Sequence, residues 1–277
     1  MKPAPVIFTF HKIREQSEQG NGAAWRALLD FYGAALFRLL EIHAAMSTPE
    51  AFLIVQQTMA RLSGNKFEKL RATSRQSERE FLGDLRGLLL EAALGSAAFK
   101  ETSTHGNPFT SEKITKVLDG LPLLHKEMLL FKLGGYTEQT IERIMRLSPR
   151  VAEKAFERLS GEYQPVRQLQ QDRNPWPAAW LAFVTQVQVL KTEHCTPAHE
   201  MVRIHDGQVS WYEKEPVEKH VSECLRCLEA WTGLREVGYW RRAADPLSSS
   251  EIERLMGVIP VEKTPAKNRS FFARLRR

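Results

Sequence analysis

All three cysteines of this 277-residue chain, Cys195, Cys224 and Cys227, fall within 33 consecutive positions. A structural disulfide network would distribute and pair its cysteines, so an odd number confined to one segment argues for a metal centre. His220 extends the pattern to His-x3-Cys-x2-Cys. On a helix or helix–turn that spacing brings one imidazole and two thiolates within reach of a single tetrahedral ion. Zinc (Zn2+) suits such a mixed set because it accepts borderline and soft donors without a geometric penalty. The fourth ligand must come from elsewhere. Cys195 is the first choice, since it uses the last cysteine and opens a short helix, Cys195-Thr196-Pro197 onward, that can fold back on the pair; His199 and His194 are the substitutes. Four protein ligands would close the coordination sphere and make the ion structural. No His-Glu-x-x-His series, phosphate-cradling glycine loop or nucleophile elbow points to an enzyme.

Composition narrows the rest. With 43% hydrophobic and 26% charged residues the chain is neither disordered throughout nor collagen-like. Apolar runs such as Leu88–Leu90, flanked by Arg86 and Glu91, fall far short of the ~20 residues of a membrane span. The patch Val6–Phe10 lacks the basic start and cleavage site of an export signal, so a cytoplasmic, reducing location is expected. The net charge of +6 equals the charge of residues 263–277, which hold six basic and no acidic residues. A basic terminus of this kind is expected to be solvated and disordered, and it weakens any inference from charge to nucleic acid.

Periodicity predicts helices throughout. Trp25, Leu28, Leu29, Tyr32, Leu36 and Leu39 form one apolar stripe. Thr48, Pro49 and Glu50 read as the capped start of a helix with Phe52, Val55, Met59 and Leu62 inward, ended by Gly64-Asn65. A third helix is expected from Ser77 to Leu94. Further on, Thr137 caps a helix through Ile144, and Ser148-Pro149 opens another that displays Arg150, Lys154 and Arg158 at i, i+4 and i+8, the outline of a helix-turn-helix. The stripe interleaves Glu153 and Glu157, so a salt-bridged solvent face is the alternative. The expected architecture is all-α, with two small helical domains at 1–100 and 113–163 joined by a linker at 101–112. A linker and packing helix follow at 164–190, then a small helical zinc-binding module at 191–245 and a tail at 246–277.

The order of blocks resembles a bacterial RNA polymerase sigma factor of the extracytoplasmic-function class over residues 10 to 163. Gly22–Tyr32 looks like that family's opening helix, and Pro49–Leu62, with its Val55-Gln56 pair, looks like its polymerase-clamping helix. Leu121-Pro122, Gly135-Tyr136-Thr137 and Leu147–Lys154 look like the region that reads the upstream promoter element. Residues 195–240 resemble the zinc-binding anti-sigma domain, in the lead-in Cys195–Val202, the turn Asp206-Gly207 and the series His220–Cys227. The resemblance implies core RNA polymerase and promoter DNA as partners, Val55, Gln56 and Arg61 as polymerase contacts, and Arg150, Lys154, Arg158 and Arg146 as DNA contacts, with Arg143 near phosphate. It also implies an intramolecular contact between the sigma-like front and the anti-sigma-like back. Two departures support an alternative, a degenerate sigma-like scaffold without promoter activity. Phe52-Leu53-Ile54 stands where the family has acidic residues, and the strand-opening segment Phe81–Leu88 has one aromatic and no Asn.

Overall fold

Apolar residues at three- and four-residue spacings set the architecture. The computed structural model describes residues 9–96, 111–161 and 176–260, and among them the fold is all-α, with no strand. The first block holds α1 (Phe10–Glu18), α2 (Gly22–His43), α3 (Thr48–Ser63), α4 (Glu68–Ala72) and α5 (Glu78–Leu94). The second holds α6 (Ser111–Leu118), α7 (Leu123–Leu133), α8 (Glu138–Met145) and α9 (Pro149–Gly161). The third holds α10 (Trp176–Gln188), α11 (Ala198–His205), α12 (Trp211–Glu223), α13 (Leu225–Ala243) and α14 (Ser249–Met256). Of the expected linker at 101–112, residues 101–110 lie outside the described residues, as do 164–175 of the expected linker and packing helix at 164–190 and 261–277 of the expected tail at 246–277.

Local chemistry fixes the helix ends. Ser77 accepts the Glu80 N–H and starts α5, and Thr137 accepts the Thr140 N–H and starts α8. The cap of α3 is Ser47 rather than Thr48, because Glu50 reaches back to the Ser47 N–H at 2.9 Å and draws the helix start one residue earlier. Between α7 and α8, Gly135 adopts φ 96°, and a Cβ there would lie 2.8 Å from the Ile42 carbonyl oxygen. Only glycine lets this turn sit against the end of α2.

The three blocks share one continuous hydrophobic core. Its centre is α13, which packs against α2, α5, α7, α8, α10, α11 and α12. Leu228, Trp231, Leu234 and Val237 are buried along it, and His205 of α11 meets Trp231 edge-on at 4.2 Å. Full burial of each such apolar side chain contributes about 1.5–3 kcal/mol. Lifting α13 away from the first two blocks would therefore cost several such contributions.

The segment after 245 departs from the expected disordered tail. Residues Ser249–Met256 form α14, which sets Ile252 and Leu255 into the core and packs on α2 and α3. Ser248 and Glu251 make a reciprocal capping box, so the helix start is specified locally even though the sequence beyond it is basic.

Candidate metal centre

The cysteines converge because two helices break at the right place. Cys224 ends α12 and precedes α13 with extended backbone (φ −108°, ψ 110°), while its N–H still bonds the His220 carbonyl at 2.9 Å. One turn later Cys227 points back to the same side. Cys195 arrives from a tight turn closed by its own N–H on the Thr192 carbonyl at 3.2 Å. Its helix begins only at Ala198, with Pro197 as cap, so Cys195 sits before the helix rather than in it. The three sulfur atoms all lie within 4.8 Å of one another. The Nε2 atom of His220 is 3.2 Å from the Cys227 sulfur. Three sulfurs and an imidazole nitrogen therefore share one corner of the module, and the cysteines form a set able to hold a metal ion.

The electrostatics of the thiols are unequal. Cys227 is buried, and burial pushes its thiol up to about 12, reinforced by the neighbouring Cys224 and Cys195 against a hydrogen bond from the Thr196 N–H. Burial raises Cys195 as well. There the N–H and hydroxyl of Thr192, with hydrogen bonds from Cys227 and Cys224, outweigh it and hold the thiol below its ordinary value. A crowded thiol set of this kind is the environment in which a bound cation deprotonates its ligands. A cavity of about 630 Å³ reaches Cys195 and His220 from solvent between α11 and α12. His199 and His194 line it as well, and His194 is 83% exposed and faces Glu193; the set whose donor atoms all lie within 4.8 Å comprises the three cysteines alone, and of the histidines His220 reaches it through Cys227.

The centre is tied to the other blocks by polar contacts. The Lys126 ammonium of α7 donates to the Ser222 carbonyl, two residues before Cys224, at 2.5 Å. Arg226, between the paired cysteines, lies 3.5 Å from Glu229. Glu229 in turn accepts from Arg86 of α5 at 2.5 Å. Arg86 also donates to Glu236, which lies 2.5 Å from His43 Nε2 and accepts a hydrogen bond from the Tyr136 hydroxyl. His43 donates through Nδ1 to the Gly134 carbonyl at 2.7 Å, and Trp240 Nε1 donates to the Tyr136 oxygen at 2.8 Å. Burial alone would raise Glu236, but the charges of His43 and Arg86 and the Tyr136 hydrogen bond bring it down to about 2. Arg86 is held above its ordinary value because the two carboxylates outweigh its burial.

Sequence reasoning missed this network. The available signal was Glu229, Thr232, Gly233 and Glu236 at i, i+3, i+4 and i+7, a polar line running along a buried helix, and Arg86 inside the apolar stripe of α5.

The other expected site residues are dispersed. Arg150, Lys154 and Arg158 lie on the exposed face of α9, and so do Glu153 and Glu157. Arg146 caps α8 in the left-handed region at φ 54°, forming the turn into α9. Val55 is fully buried, on the inward face that the spacing of Phe52, Val55, Met59 and Leu62 predicts. Gln56 donates to the Arg254 carbonyl at the end of α14 at 3.2 Å, and Arg61 pairs with Glu91 at 3.1 Å. Among the described residues no helix is long and apolar enough to cross a membrane. Neither a family model, nor a curated protein, nor a solved structure matches this chain.

Proposed function

We infer that this chain is a sigma-factor-like transcription regulator that engages core RNA polymerase and promoter DNA and is held in check by its own zinc-binding, anti-sigma-like module. The observation that carries this reading is the course of α13. It starts at the cysteine cluster, packs on helices of both preceding blocks, and places Glu236 among His43, Arg86 and Tyr136. Of the residues this reading assigns to polymerase, Gln56 is reached from the rear of the chain through the Arg254 carbonyl at 3.2 Å, while the basic stripe of α9 stays exposed, so the check would act on polymerase binding. Because the contact is intramolecular, an effective concentration of order millimolar keeps even a weak interface formed.

Zinc is the ion that this donor set favours. A tetrahedral site with Zn–S bonds of about 2.3 Å places sulfurs about 3.8 Å apart, a separation that the cysteine cluster accommodates within its 4.8 Å span. Cys195, His220, Cys224 and Cys227 would be the ligands, and bound zinc would supply folding free energy to the small module. On the DNA side, α9 would present Arg150, Lys154 and Arg158, with Arg146 and Arg143 nearer phosphate.

The test uses the full chain, reduced and metal-loaded or treated with a chelator, against immobilised core RNA polymerase. The reading expects retention after metal removal and little before it. Failure of both forms to bind overturns it. A second reading, an interaction protein without promoter activity, draws on the strand-opening segment: Phe81, Leu82 and Leu85 are buried and Arg86 is bound to two carboxylates. Polymerase binding without promoter-directed transcription would favour it.

A further inference from the structure

A cleft of about 360 Å³ opens where α5 faces α10 and α13, within the size range of small-molecule sites. Its walls carry two cations and two carboxylates: Lys69 from α4, Arg226 from the first turn of α13, and Asp84 and Glu91 from α5. The Gln188 amide of α10 borders it as well. Gly87 lines it too, beside the Gln188 amide.

These charged groups are unequally satisfied. Glu91 is paired with Arg61 at 3.1 Å. Asp84 uses one oxygen to accept the Ser74 N–H at 2.6 Å, which leaves the other for a ligand. Lys69 makes no hydrogen bond or ion pair among the described residues, and Arg226 reaches only Glu229, at 3.5 Å. Lys69 and Asp84 are exposed, whereas the Arg226 Nε is buried without a hydrogen-bond partner, so one cleft is lined by two cations with spare donors and one half-used carboxylate. A ligand bearing a single charge would leave one of these two sides unmatched, whereas a zwitterion matches both.

We propose that this cleft binds a free amino acid, its carboxylate held by Arg226 and Lys69 and its ammonium by Asp84. Lys69 and Asp84 belong to the first block, and Arg226 and Gln188 to the third, so the bound molecule ties the two together. Binding itself does not depend on the transcriptional reading, and its test is independent of polymerase. Calorimetric titration of the full, metal-loaded chain with each of the twenty L-amino acids is expected to find at least one that binds with unchanged metal content. Asp84→Asn keeps the acceptor for Ser74 while removing the charge, and Lys69→Gln alters a side chain with no partner. Each is expected to weaken binding roughly tenfold or more, the scale of a lost charge-assisted hydrogen bond. The des-amino analogue of the bound amino acid is expected to bind correspondingly less well. The proposal is overturned if no amino acid binds, if Asp84→Asn binds as well as the parent, or if the des-amino analogue binds equally well.

Discussion

Glu236 is a carboxylate almost without solvent contact, and three partners from two blocks converge on it. Truncating one member of a buried charged set strands the others, a loss of about 3–5 kcal/mol. Glu236→Ala is therefore expected to lower the unfolding free energy by that amount in urea titrations. The pH dependence follows from the same contacts. His43 and Arg86 hold Glu236 near 2, below the ordinary 4.5, so its contribution to stability is complete above the unfolded-state value and lost as pH falls toward 2. Buried Glu127, beside Arg235, has its value raised by burial and acts in the opposite sense. It is present in both proteins, so the difference between wild type and Glu236→Gln isolates Glu236. That difference is expected to shrink as pH falls from about 5 toward 2, as read from thermal unfolding across that range. At the candidate metal centre, Cys227→Ser and His220→Ala are expected to lower metal content measured by mass spectrometry, while His194→Ala and His199→Ala leave it unchanged, since Cys227 belongs to the three-cysteine set and His220 lies 3.2 Å from its sulfur.

Legibility at the scale of elements followed how local the determining interaction was. The third helix was readable to within one residue because Ser77 and the stripe of Phe81, Leu85 and Leu89 lie in one short window. The helix–turn–helix outline was readable from Thr137 and Ser148-Pro149 for the same reason. The convergence of Cys195 on the later pair was legible too, because cysteine is scarce in this chain and thiols have few reasons to cluster. What escaped was non-local. The partners of Arg86 stand 143 and 150 residues away, and no periodicity announces such a contact. Helix α14 escaped because its capping box is followed by a cationic stretch that dominates the composition of the terminus. Removing the cap by Ser248→Ala is expected to destabilise α14 by about 0.5–2 kcal/mol, seen as faster amide exchange at Ile252 and Leu255 with little change elsewhere. For α9, Arg150→Ala is expected to weaken promoter binding by about 1–3 kcal/mol where the guanidinium reads a base. Lys154→Ala should instead reduce the salt slope by about one if that side chain meets phosphate. Fluorescence anisotropy at two ionic strengths separates the two, and affinities unchanged by both substitutions would assign the stripe to a solvated face.

At the scale of the whole molecule, α13 links two kinds of stability. One end is set by the Cys224 turn and the other by Trp240 on Tyr136 and Arg241 on Glu78, at 2.8 Å each. Between these ends the helix has no stripe reserved for its own module, because its buried residues face the first and second blocks as much as α11 and α12. An ion that fixes the start of α13 therefore also fixes the position at which Glu229 and Glu236 meet Arg86. Metal removal is expected to loosen the first turns of α13 and, through them, the facing residues of α5 around Phe81–Leu90. Hydrogen exchange on the full chain, with and without chelator, should show protection lost in both stretches. For a chain of this size each 1 kcal/mol of lost stability lowers Tm by roughly 2–4 °C. If exchange rises only in residues 191–227, the metal stabilises its own corner alone and α13 stays seated on the other blocks without it.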